Sequence, residues 1–197
     1  RRFIFASTWD PVQDVYGALP VVYGTVLSSL IAIVIATPLS IGVALFLTEL
    51  APRRTGRVFG FLVEMLAAIP SVVYGLWGIF VLAPWLRTTV EPLFAKTLGF
   101  LPLFQGPMYG VGMLAAGIIL AIMITPTITS ISREVFSAIP LAQREAALGI
   151  GATRWEMMKL AVLRSGKRGI IGAVILGLGR ALGETMAVTM VIGNRHE

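Results

Sequence analysis

Arg180 and Glu184 are the residues of this 197-residue chain whose type and setting most require a chemical explanation. They lie in the stretch 172–193, which is otherwise built from Gly, Ala, Val, Ile, Leu, Met and Thr. At about 20 mostly apolar residues it has the length of a membrane helix. An ionised side chain at the bilayer centre costs roughly 2.5–3.5 kcal/mol on insertion scales, so it normally faces protein or a wet cavity. Four apart on a helix, the two would share one face, and Gly179 and Gly183 would form a parallel row that admits a neighbouring helix closely. The chemistry open to them is electrostatic. A guanidinium presents a planar, permanently charged fork to an oxyanion. A carboxylate one turn away would hold the guanidinium in place and weaken its grip, as a conduit that must release its cargo requires. The competing reading is an interhelical salt bridge whose members neutralise each other and touch no ligand.

The elements that position this pair follow from composition. Hydrophobic residues make up 56% of the chain and charged ones 13%, with a mean hydropathy of +0.86, values of a membrane protein rather than a soluble domain. Three further stretches, 15–48, 65–86 and 97–132, carry no charged side chain. The expected fold is all-α, a polytopic transmembrane bundle with spans at about 19–47, 58–84, 110–132 and 169–193. Arg53, Arg54 and Arg57 follow the first span, and Arg133, Arg144, Arg154, Lys159, Arg164, Lys167 and Arg168 fall in the link 133–168. The positive-inside rule makes that side cytoplasmic and puts both ends of the chain outside. The net charge of +6 is accounted for by this asymmetry, and the cations are scattered over loops rather than along one face, which argues against a nucleic-acid partner.

With no cysteine, and one histidine at His196, neither a disulfide framework nor a His/Cys metal site is expected. The chain begins without methionine, and its first residues are too short in their apolar part for a signal peptide, so it reads as a segment of a longer protein. Trp9, Pro11, Tyr16 and Gly17 suit an interfacial approach segment. In the first span Pro38 should introduce a kink, with nearby hydroxyls available to freed carbonyls. In the second, Pro70 with Ala67, Ala68, Gly75 and Gly78 predicts a bent helix with a close-packing face. Glu64 there either partners a cation or reaches the cytoplasmic interface. Between Arg87 and Tyr109 an outer loop is expected, with a short amphipathic piece around 93–98.

The 36 residues of 133–168 are too many for a bare connection. Pro140 suits a helix start, Gly149 and Gly151 supply a break, and Thr153-Arg-Trp-Glu156 forms a capping box that opens a second short helix through about Leu163. Ala146, Ala147, Leu148, Trp155, Met158 and Leu160 exceed what a solvated loop needs. Two short helices so decorated make a knob for a partner surface, or else pack on the ends of the chain's own helices.

Glu145-Ala-Ala-Leu-Gly-Ile-Gly151 resembles the EAA loop of ABC importer permeases. Arg180-Ala-Leu-Gly-Glu-Thr-Met-Ala-Val-Thr-Met-Val-Ile-Gly-Asn194 resembles the phosphate-specific (Pst) permeases, closest to their C-type subunit, and the stretches 64–78 and 129–136 support the likeness. The EAA pattern alone points only to the importer superfamily, and the Arg180 segment narrows it to phosphate. The resemblance implies a MetI-like permease core with cytoplasmic coupling helices, in a multi-pass protein of a bacterial-type inner or plasma membrane. It implies a half-permease that pairs with a similar (PstA-type) subunit, receives phosphate from an extracytoplasmic binding protein, and is driven by a separate ABC ATPase dimer. Glu145, Ala146, Ala147 and Gly151 would dock on the ATPase, and Arg180 and Glu184 would line the substrate path. ATP would be used by the partner, with no cofactor in this chain. The family pattern continues with Ile-x-Leu-Pro, where this chain has Ala161, Val162, Leu163 and Arg164. The missing proline bears on how sharply the second loop helix turns into the fourth span. Relatives with six spans imply one before Arg1 and one after Glu197.

Other function classes fare worse. No Gly-x4-Gly-Lys-Ser/Thr phosphate-binding loop occurs, since Gly166-Lys167 is followed by arginine, so hydrolysis is expected elsewhere. The only aspartates, Asp10 and Asp14, precede the first span, and no Gly-x-Ser-x-Gly elbow exists, which disfavours a membrane-embedded enzyme. A permease for sulfate or molybdate, or an ATP-independent channel or carrier, stays as the alternative.

Overall fold

A computed structural model describes residues 19–86, 88, 109–185 and 187–188. The expected approach segment before residue 19, the outer loop with its amphipathic piece, the end of the fourth span and His196 lie outside the described residues. Among the described residues every regular element is helical. Helix α1 is Leu19–Leu45, prolonged by a π turn at Phe46–Leu50, and it runs through Pro38 without interruption. Helix α2 is Arg53–Ala67. It is followed by α3, Ser71–Trp77, a π turn at Gly78–Leu82, and the short α4, Ala83–Trp85. Helix α5 is Tyr109–Ser137. Helix α6, Leu141–Gly149, leads to α7, Arg154–Met157. A π turn at Met158–Leu163 joins α7 to α8, Arg164–Leu182.

Two of these helical runs, 22–50 and 114–137, are long and apolar enough to cross a membrane, and the α2–α4 pair makes a third if taken as one span. That pair is bent by 89°, a right angle where the sequence suggested a bent helix. The reason is local: Pro70 cannot continue α2, its ψ of 139° is extended, and a fresh helix starts at Ser71.

Helix α5 is the centre of the bundle, with 61% of its most apolar window inside against 33% for α1. It packs on α1, α8 and α2. Leu120, Met123, Ile124 and Ile128 of α5 meet Ala32 and Ala36 of α1 and Ala173 and Ala181 of α8, large residues from one helix against small ones from two. Ser40 Oγ donates to the Thr125 carbonyl across the α1–α5 contact (3.1 Å). The outward face of α1 carries Val22, Val26, Leu30, Val34 and Leu39, all exposed, as expected of a helix that meets lipid or another membrane helix.

The link 133–168 is more helical than its sequence suggested. Helix α5 continues five residues past 132, through Arg133 and Glu134, until Ser137-Ala-Ile-Pro140 stops it. At the far end the second loop helix is continuous with α8, which ends at Leu182 rather than near 193 and is not among the runs long and apolar enough to cross a membrane, so the expected span 169–193 is not found among the described residues. The run from Arg154 through Leu182 is helical throughout, because Arg164 stands where a proline would interrupt the hydrogen-bond ladder.

Candidate functional site

Arg180 sits in the last turn of α8 and is half-buried. Its Nη1 donates to Thr127 Oγ1 at 2.8 Å, and its Nη2 donates to the Ala67 carbonyl at 3.2 Å. One partner stands at a helix end and the other beside a proline within a helix that continues. Ala67 is the last residue of α2, whose final carbonyls have no intrahelical donor. Thr127 follows Pro126 inside α5. The adjoining Leu66 carbonyl accepts from Tyr74 Oη, reaching back from α3 at 2.9 Å. At the negative end of α2 the Ala67 carbonyl is thus met by a cation, the favoured charge at a helix C-terminus, and the Leu66 carbonyl, which also accepts the Ile69 N–H, is met by a phenol.

Glu184 takes a different place from the one its spacing suggested. Helix α8 ends at Leu182, so Glu184 is not one helical turn along from Arg180. Its Oε1 accepts the backbone N–H of Ala187 at 3.0 Å, the geometry of a side chain capping a helix start three residues on. The groups that hold the guanidinium are Thr127 and Ala67, both neutral. Neither of these two partners offsets the charge, and most of its five N–H donors are not used by these two bonds. Neutral acceptors are also the ones an oxyanion can displace, since it adds attraction between two full charges to the same hydrogen bond.

The sequence did not point to Thr127, the Ala67 carbonyl or Tyr74 as partners. The usable signals were Pro70, which ends α2 short of its last carbonyls, and Pro126, which stands beside Thr127 inside α5.

Glu64 and Arg133 form a second polar contact, Arg133 Nη1 to Glu64 Oε1 at 3.4 Å, with the carboxylate 56% exposed. Glu64 thus both reaches an exposed position and meets a cation. Gly60 makes this possible, because a Cβ there would overlap the Arg133 guanidinium.

In the knob, Glu145, Ala146 and Gly151 are exposed, whereas Ala147 is buried against the group containing Phe136, Met157, Met158, Ala161 and Val162. Three of the four expected docking positions face outward and one packs on the chain itself. The apolar surplus divides the same way: Met158 is buried, while Leu148, Trp155 and Leu160 are exposed along with Leu141 and Ile150. Gly151 has φ +89°, a left-handed value that glycine adopts without a Cβ penalty and that reverses the chain between α6 and α7.

The capping box is formed. Glu156 N–H donates to Thr153 Oγ1, and Glu156 Oε2 accepts from both the backbone N–H and the hydroxyl of Thr153. These bonds, the backbone one first, with help from Lys159, hold the Glu156 carboxyl below its ordinary 4.5. A depressed carboxyl stabilises the fold above its unfolded value and loses that contribution as pH falls through the folded one. Amide protection at 155–157, taken against the intrinsic exchange rate at each pH, should therefore fall in acid below the ordinary glutamate range. At neutral pH Thr153→Ala should lower it about fivefold, as loss of an N-cap does. Unchanged protection in both conditions would show that packing alone starts this helix.

Comparison with known proteins bears on what these two places serve. The family of binding-protein-dependent transport system inner membrane components matches residues 36–195. The chain is 54% identical over 98% of its length to the phosphate transport system permease protein PstC of Mesorhizobium japonicum, and 48% identical over 99% to that of Haemophilus influenzae. It is 45% identical over 97% to that of Mycobacterium leprae. It spans 61%, 63% and 62% of these relatives, about three fifths of their length. A match that takes in the α2–α3 elbow, all of α5, the knob and the Arg180 segment leaves one assignment: the chain belongs to the binding-protein-dependent transport system inner membrane component family.

Proposed function

We propose that this chain is the membrane-spanning permease subunit of an ATP-driven importer that carries inorganic phosphate across the plasma membrane. The observation that carries the reading is Arg180: a cation where the end of α2 meets the proline turn of α5, held among the described residues by a hydroxyl and a carbonyl. The names of the relatives, phosphate transport system permease proteins, support phosphate as the cargo. Arg180 offers its fork to the anion in transit, and Thr127 and Ala67 take the donors back when the anion leaves.

The exposed part of the knob, Glu145, Ala146 and Gly151, docks on an ABC ATPase dimer, which uses the ATP. A second, similar permease subunit completes the path, and an extracytoplasmic binding protein delivers phosphate. Movement of the helices as rigid pieces alternates access to the path.

Reconstitution of the complete transporter in liposomes tests this. ATP-dependent uptake of labelled phosphate, little affected by excess sulfate or molybdate, is the expected result. Strong competition by those anions would move the cargo to another oxyanion, and uptake without nucleotide would favour a channel or carrier. Cross-linking gives a second check, because the chain has no cysteine of its own. Glu145→Cys and Ile150→Cys, both at exposed positions, should capture the ATPase subunit. Failure to do so in an active transporter would remove the docking assignment.

A further inference from the structure

The residue before the EAA stretch, Arg144, is held more elaborately than a surface loop requires. Its Nε and Nη2 donate to Glu49 Oε1 at 3.1 and 2.9 Å, Nη2 also donates to the Phe136 carbonyl at 2.7 Å, and Nη1 donates to the Ile139 carbonyl at 2.6 Å. The two side chains are 15% and 8% exposed, so this is a nearly dry ion pair. Glu49 lies in the π turn that ends α1, Phe136 in the last turn of α5, and Ile139 just beyond it. One guanidinium on α6 thus grips the ends of both long apolar helices.

The backbone of α6 packs mainly on α7 and the π turn at the foot of α8. Its polar link to α1 and α5 runs through the long Arg144 side chain. The Phe136 and Ile139 carbonyls it meets lie at and just past the C-terminus of α5, where the negative end of the dipole favours a cation. Arginine suits this place because a planar fork can serve several acceptors at once, which an ammonium on a flexible stem does poorly. Breaking one side of such a buried pair leaves an uncompensated charge, so the joint is stiff.

We propose that Arg144 is a positioning residue that transmits displacement of the knob into α1 and α5, with Glu49 as its anchor. The proposal rests on the reading of the knob as the ATPase docking element. When α6 is moved by its partner, the guanidinium carries the ends of α1 and α5 with it. When the pair is broken, α6 moves against them instead.

The test uses the complete transporter in liposomes, with Arg144→Gln, Arg144→Lys and Glu49→Gln. Assembly, basal ATP hydrolysis and phosphate uptake are measured side by side. If the unsubstituted complex shows no ATP-dependent phosphate uptake, the underlying reading fails, and this is seen before any variant is compared. Given that uptake, variants that assemble should hydrolyse ATP at the basal rate while the ATP used per phosphate rises roughly tenfold, as loss of coupling through a shared network would give. Combining Arg144→Gln with Glu49→Gln should be little worse than either alone, since both remove one contact. An unchanged ratio in every variant that assembles overturns the proposal. Loss of assembly in all three also overturns it, in favour of a clamp that only holds the fold.

Discussion

Arg180→Ala should reduce phosphate uptake by about 100-fold or more while leaving assembly and basal ATP hydrolysis near the parental level. The magnitude follows from what is removed, since hydrogen bonds to a charged group are worth about 1.5–3 kcal/mol each and a fork can make two. What the substitution leaves behind costs less. The Thr127 hydroxyl can rotate to another acceptor, and the Ala67 carbonyl is one of the four a helix C-terminus always leaves open. Arg180→Lys should recover part of the uptake, keeping the charge without the planar fork. Thr127→Ala, which removes a neutral holder and keeps the cation, should affect uptake far less than Arg180→Ala. The measurement is initial uptake in liposomes, normalised to transporter recovered with its ATPase. If Arg180→Ala instead prevents assembly, the guanidinium is a structural tie between α8, α2 and α5, and the conduit role falls.

Gly169→Ala should cost about 1–3 kcal/mol of stability, the usual penalty for forcing a methyl into a filled interface. A Cβ at Gly169 would lie 2.5 and 2.6 Å from the two Val135 methyls and 3.2 Å from Val135 Cβ. Val135 cannot rotate away cheaply, because a β-branched side chain on a helix has one strongly preferred rotamer. The helices α5 and α8 must therefore separate. Val135→Ala should restore most of the loss, since contacting sites are not additive. Gly172→Ala, one turn further along α8, meets nothing within 4 Å. It should be neutral or mildly stabilising, as alanine is the better helix former by about 1 kcal/mol. Thermal unfolding in detergent with the partner subunits present reads all three. Equal effects at 169 and 172 would show that α5 and α8 do not meet this closely.

Several features were legible before any coordinates because their causes are local. The charge-free stretches 15–48 and 97–132 sufficed for α1 and α5, since hydropathy sums over consecutive residues. The capping box at Thr153–Glu156 and the helix break at Gly151 depend on residues within three positions of the backbone they serve. Pro70 marked an interruption, though nothing local set its angle at 89°.

The polar contacts are of another kind. Arg180 meets partners 53 and 113 residues away, and Arg144 meets Glu49 from 95 away. Spacing suggested Glu184 as the mate of Arg180 on the assumption of an unbroken helix, but the helix stops between them. Local pattern therefore determined α1 and α5 as the segments apolar enough for a membrane and showed where charge had to be explained, whereas the expected span 169–193 ends as a helix at Leu182. Which acceptors that charge reaches was decided only by how the helices cross and how deep each break lies, because those depend on packing among segments distant along the chain.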